Sequence, residues 1–259
     1  MIRTAEAPSS TRPRRPALAH DVAMRLAATE YDRVLDVLSS LSAEAWSRPT
    51  VNPGWDVRAL ATHMLGMLEM SASLKESVRQ GRAAGRSGGF SIDTLTALQV
   101  EERRHLSGPD VVQRWAALAP RAARARRRLP ALARRLPAPG GQQPFPPEPG
   151  VPTETWSLGY LSDVINTRDP WIHRGDIAAA TGTPFVVTPD HDGVLVDEVV
   201  REWASRHGEP YELHLTGPAG GSWYGGQHGP RITMDAMDFC RTLSGRGVGE
   251  GLLGVAVPF

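Results

Sequence analysis

Cysteine is nearly missing from this chain: Cys240 is the only one in 259 residues. That excludes an intramolecular disulfide and any cysteine-rich metal site, and it fits a reducing cytoplasm. Lysine is as scarce, with Lys75 standing alone, so the positive charge is almost all arginine. Together with abundant Ala, Gly and Pro, this is read as GC-rich coding bias and not as function. An excess of either charge is also lacking. The formal net charge is +1, which argues against bulk attraction to nucleic acid or to an anionic membrane and favours small partners. No run of about 18 apolar residues occurs, so no membrane span is expected. The N-terminus, Met1 to Pro16, is polar and proline-punctuated and lacks the apolar core of a signal peptide; it is expected to be a disordered tail. There is no Gly-x-Ser-x-Gly elbow for a nucleophilic serine. The glycines of 217–226 lie between short strands and do not open a helix, so phosphate binding lacks its context.

What is present is a chain with 41% hydrophobic residues, enough for one large core or two smaller ones. Val22, Leu26, Val34, Leu38 and Leu41 recur at helical spacing and predict a first helix over 17–41. After the break Arg48-Pro49-Thr50-Val51-Asn52-Pro53-Gly54, Asp56 is placed to cap a second helix running to about Gln80, with Leu60, Met64, Met67 and Leu74 as its apolar stripe. A glycine-rich loop, 81–89, precedes a third helix over 92–106. A fourth helix runs from about Pro109 toward Leu136. Its arginines, including Arg121, Arg124, Arg126, Arg127, Arg128, Arg134 and Arg135, are read as a solvated face, since no aromatic residue interleaves them.

Residues 137–152 are expected to be a Pro/Gly-rich connection, and 156–181 a further helix stopped by Gly182 and Pro184. Beyond Pro189 the pattern changes. A helix over 190–206 is followed by the alternating strand Tyr211–Thr216, short strands at 222–224 and 231–233, a helix over 234–243 and a last strand at 255–257. The expected architecture is therefore α+β: a tail at 1–16, a helical bundle at 17–183 and a small α+β domain at 190–259.

Two histidines and a carboxylate carry the chemistry. Asp169 and His173 are four residues apart, so on a helix they share one face with about 5–6 Å between Cβ atoms. His63 falls two turns into the second helix, on its apolar stripe. Two imidazoles and one carboxylate from facing helices make a three-ligand site with an open position, the pattern of a catalytic metal. Other roles stay open: His63 as a hydrogen-bonded core histidine, and Asp169 as an N-cap ahead of Pro170. Proline also disfavours helical geometry at Asp169. Asp176, three residues past His173, is placed to accept an imidazole N–H. His20, His105, His191, His207 and His228 fall at helix ends or in loops and are read as exposed; His214 is expected to point away from the core. Cys240 is read as a buried, inert thiol.

Arg48-Pro49-Thr50-Val51-Asn52-Pro53-Gly54-Trp55-Asp56-Val57-Arg58, followed by Ala61-Thr62-His63-Met64-Leu65-Gly66, resembles the start of the metal-binding bundle in the mycothiol-dependent maleylpyruvate isomerase family, within the DinB-like superfamily. Arg168-Asp169-Pro170-Trp171-Ile172-His173-Arg174-Gly175-Asp176-Ile177 resembles its second ligand segment. The segments 215–221 and 238–246 resemble the small domain often fused to that bundle in actinobacterial members. The resemblance implies a DinB-like four-helix bundle holding a divalent metal, zinc by expectation, on His63, Asp169 and His173. Asp169 departs from the isomerase, whose middle ligand is a glutamate. Mycothiol is the implied cosubstrate, and the implied activity is that of a cytoplasmic isomerase or S-transferase on a small electrophile. Arg241 and Arg246 are the catalytic candidates for an anionic substrate. For Arg246, a helix C-terminal charge complementing the dipole is the competing role. The alternatives are a non-catalytic metal or small-molecule binding protein and a metal-dependent hydrolase.

Overall fold

The computed structural model describes residues 12–86, 91–142 and 154–259. They divide into two compact units, one made of 18–141 and 156–185, the other of 12–17, 142, 154–155 and 186–259. Met1–Thr11, most of the expected tail, lies outside the described residues, as does part of the expected glycine-rich loop.

The larger unit is helical. Its helices are α1 (His20–Ser40), α2 (Val57–Ala72), α3 (Leu74–Gly85), α4 (Ile92–Arg103), α5 (Gly108–Arg127), the single turn α6 (Leu158–Tyr160) and α7 (Asn166–Thr181). Four of them form the bundle: α2 packs on α5 and α7, and α1 packs on the same two. The α3–α4 hairpin lies against α2. Each helix begins where the chemistry of its first turn allows. Asp56 accepts from the Ala59 N–H at 2.8 Å, and Ser107 and Asp110 form a reciprocal capping box ahead of α5, satisfying N–H groups that have no helical partner. The bundle core holds Tyr31, Val34, Leu38, Leu60, Leu65, Val111, Trp115 and Ile177. Trp115 donates its indole N–H to the Tyr31 carbonyl at 2.9 Å, so its one polar atom is satisfied in an apolar setting.

Several expectations are corrected by the structure. The helix over 56–80 is two helices, because Ser73 is extended (φ −150°) and caps α3 through Glu76 N–H; Leu74 leaves the apolar stripe and is 81% exposed. The Pro/Gly-rich stretch contains a strand, β1 (Pro137–Gln142), which forms a two-stranded sheet with β2 (Glu154–Ser157). The fourth helix ends at Arg127, and the arginines are not one solvated face: Arg126 is buried, and Arg134 pairs with the buried Asp163. His191 is buried too, at the start of the next helix.

The smaller unit contains α8 (Asp192–His207), β3 (Tyr211–Thr216), β4 (Gly221–Gly225), β5 (Arg231–Asp235) and α9 (Ala236–Arg241). Its sheet has the order β4-β3-β5, antiparallel between β3 and β4 and parallel between β3 and β5. Leu213 and Leu215 are buried while His214 faces solvent, as the alternation predicts. Trp203 of α8 packs edge-on against Tyr211 and Phe239 at 5.0 and 5.3 Å between ring centroids. Cys240 is fully buried. The expected strand at 255–257 is instead an extended segment after the 3-10 turn Gly251–Gly254, tied by Val257 N–H to the Leu243 carbonyl at 3.1 Å. Arg14 belongs to this unit, donating its backbone N–H to Thr155 at 2.9 Å and its guanidinium to Glu154.

Candidate metal centre

The site is built on two helices of different character. On α2, a regular helix, His63 is buried in the second turn. On α7 the approach is irregular: a π-turn, Leu161–Ile165, leads directly into the helix, and Pro170 lies inside it. Proline has no N–H, so the Asn166 carbonyl one turn earlier loses its helical donor. Arg126 supplies a replacement, donating to Asn166 O at 3.1 Å. The same guanidinium donates to the Ser162 carbonyl and to Thr167 Oγ1 and Tyr31 Oη, both at 2.6 Å. Buried Arg126 thus satisfies the backbone groups that the π-turn and proline disrupt, and Asp169 sits within the first turn of α7 instead of capping it.

This geometry brings His63, Asp169 and His173 together. One ligand atom from each lies within 4.8 Å of the others, and all three residues are buried. His63 Nε2 is 3.3 Å and His173 Nε2 3.6 Å from Asp169 Oδ1. A tetrahedral zinc with bonds of about 2.0–2.1 Å has ligand–ligand edges of about 3.3–3.5 Å, so these spacings fit one ion. The outer nitrogens are committed elsewhere. His173 Nδ1 lies 3.0 Å from Asp176 Oδ2, the partner its spacing predicts. His63 Nδ1 lies 2.8 Å from Gln99 Oε1. Carboxylate and amide oxygens accept, so both imidazoles present an N–H at Nδ1 to those oxygens, and Nε2 is the ring atom that faces the Asp169 carboxylate. One atom from each of two imidazoles and a carboxylate converge at these distances, and the residues present fit a divalent metal.

The loop ahead of α2 closes the site's edge. Asn52 Nδ2 donates to Asp176 Oδ2 at 3.4 Å, and Trp55 packs against His63 with ring centroids 5.5 Å apart. Arg48 donates to the Thr181 carbonyl at 2.8 Å, anchoring the loop to the end of α7. Beneath Asp169 a narrow cleft is walled by Met64, Met67, Trp115 and Pro170. Arg241 and Arg246 are not on this unit: Arg241 ends α9 and Arg246 ends the π-turn after it, both partly buried. Gln99 and Gln80 are contacts that the linear pattern does not reveal, since neither lies near a ligand in sequence.

Fold and site define a helical bundle with a candidate two-histidine, one-carboxylate metal centre. The family model of the mycothiol maleylpyruvate isomerase N-terminal domain matches residues 27–178, more than half of the chain, and the protein belongs to that family. The crystal structure of the mycothiol-dependent maleylpyruvate isomerase superposes with a TM-score of 0.57 at 16% identity, covering 89% of this chain and 90% of that one. The structure of a histidine-to-alanine mutant of that isomerase matches with the same values. At this identity the likeness shows a shared fold. A comparison with curated proteins finds no match. No described helix is long and apolar enough to cross a membrane.

Proposed function

We propose that this protein is a divalent-metal-dependent, mycothiol-using isomerase or S-transferase acting on a small electrophilic substrate. The observation that carries the reading is the convergence of His63 Nε2, His173 Nε2 and Asp169 Oδ1, with each imidazole's other nitrogen already hydrogen-bonded. Those three side chains would hold the ion, zinc by donor type. When bound, such a cation supplies the Lewis acidity that lets a low-molecular-weight thiol lose its proton near neutral pH.

The remaining work falls to the chain's own residues. Asp176 and Gln99 fix the imidazole orientations, and Asn52 holds Asp176. Trp55 and the methionines of α2 limit water around the site, which strengthens electrostatic interactions there. Arg241 and Arg246 are proposed to meet the charge of an anionic substrate. For an isomerase, thiol addition to an activated double bond is followed by rotation and elimination, returning the thiol; for a transferase the adduct leaves. Mycothiol with a panel of maleyl-type and other electrophiles tests the reading. The expected result is metal-dependent isomerisation or thiol consumption by the wild type, abolished in His63→Ala with the fold intact. Unchanged turnover in His63→Ala, or turnover that needs no thiol, overturns it.

A further inference from the structure

Beyond the ligands, a chain of amides runs from the surface to His63. Gln80 is fully buried and donates through Nε2 to the Glu76 carboxylate at 3.0 Å and to the Gly66 carbonyl at 3.3 Å. Neither partner can donate in return: a carbonyl never does, and the Arg79 hydrogen bond holds Glu76 ionised, its carboxyl below the usual range. The Gln80 NH2 must therefore face them, which turns its Oε1 toward Gln99. Gln99, also fully buried, then has to present its own NH2 to Gln80, at 2.9 Å. Its Oε1 is left facing His63 Nδ1 at 2.8 Å. Every link has one allowed direction because the far end is acceptor-only.

The path exists because Gly66 has no side chain. A Cβ there would come within 2.6 Å of Gln99 Cγ, and Gly66 lies three residues past His63, on the same face of α2. The Gln99 stem crosses α2 through that gap. The arrangement also makes the two imidazoles unlike: His173 leans on a carboxylate, His63 on a neutral amide.

We infer that Gln99 is a positioning residue for His63, and that the directional relay Glu76–Gln80–Gln99, laid over Gly66, holds a proton on His63 Nδ1 and so orients the ring with Nε2 toward Asp169 and His173. The inference rests on the metal reading only for its consequence, tighter metal binding; the proton's position stands on the hydrogen bonds alone. Two measurements separate them. Ring-nitrogen NMR of the metal-free full chain, with labelled histidine, reads the tautomer. Competition for Zn2+ against a chromophoric chelator reads affinity.

The wild type should show His63 protonated on Nδ1. Gln99→Leu should mix the tautomers and weaken Zn2+ binding by about 10–100-fold. Gln80→Leu, which frees the Gln99 amide to turn over, should mix the tautomers and weaken binding less. Gly66→Ala should act like Gln99→Leu by displacing the stem. Gln99→Glu keeps an acceptor at His63 and should keep the wild-type tautomer. His63 without a proton on Nδ1 in the wild type, or Gln99→Leu binding Zn2+ as tightly as wild type, overturns the inference. A wild type that binds no Zn2+ sinks the metal reading instead, and the NMR result still decides the relay. Thermal melts of each variant confirm that the comparison is among folded proteins.

Discussion

The helices α2 and α7 carry the same site, yet they are built by opposite means. α2 is regular, capped by Asp56, and buries an apolar face in which His63 is flanked by Leu60, Met64 and Leu65. α7 starts from a π-turn, contains a proline, and buries Thr167, Arg168, Asp169, His173, Arg174 and Asp176. An apolar helix holds its place by packing, at about 25 cal/mol per Å2 of apolar area buried. A polar buried helix holds its place only if each charge finds its counterpart. Arg174 does so, donating to Glu30 of α1 at 2.6 and 3.2 Å while its guanidinium lies over the Phe185 ring. α7 therefore depends on specific partners where α2 depends on volume.

The largest effects should expose that difference. Arg174→Met leaves Glu30, 0% exposed, as a buried charge without its guanidinium, and should cost about 3–5 kcal/mol. The paired change with Glu30→Leu should recover most of the loss. On α2, Leu60→Ala should cost about 2–5 kcal/mol by opening a cavity, and no second polar change should rescue it. Denaturant unfolding of the three variants reads both results. An unrescued double variant would mean that α1 and α7 need the ion pair itself and not merely neutrality.

A smaller effect ties both helices to the metal. With free Zn2+ at about a hundred times its dissociation constant, the folded state should gain about 2.7 kcal/mol, lost on chelation. His63→Ala and Asp169→Ala should each remove that gain. An equal metal-induced shift in wild type and variants, read by melting with and without chelator, would place the ion elsewhere. Weaker again is Asp56→Ala, which removes the cap of α2 and should cost about 1 kcal/mol while leaving the partners of α7 in place.

What could be read in the linear chain follows the same contrast. His63 was legible because a capped, periodic helix fixes which face each residue takes. Asp169, His173 and Asp176 were legible by spacing, although Pro170 argued against a clean turn there; Arg126, which repairs that turn, looked like one of many solvated arginines. Nothing local marks a buried arginine whose partners are carbonyls some 40 residues away. Gln80 and Gln99 were hidden for a related reason, since a glutamine on an amphipathic helix has no signature until Gly66 is seen to leave room for it. The break at Ser73 was missed because Leu74 continues the apolar spacing while the backbone does not. The strand β1 was missed because proline and glycine signal connection more strongly than pairing.

The smallest predicted effect lies at the outer end of the relay and separates surface charge from buried chemistry. Arg79 donates to both Glu76 and Glu102, with its shortest contacts to them 2.6 and 2.7 Å. Both carboxyls are thereby held below their ordinary value of 4.5. A carboxylate with a depressed pKa in the folded state stabilises fully above its unfolded value, and the contribution fades as pH falls through the folded one. Arg79 is 45% exposed on its side chain, so solvent screening limits the network to about 0.2–1 kcal/mol per pair. Arg79→Met should therefore lower stability slightly at neutral pH, lose that deficit as acidification passes below the ordinary carboxyl range and protonates both groups, and show a smaller deficit at high salt. Stability measured across that pH range in both proteins reads the difference. A deficit that persisted in acid would mean that Arg79 acts through packing on α3 and α4, and that the relay's outer end is held by shape and not by charge.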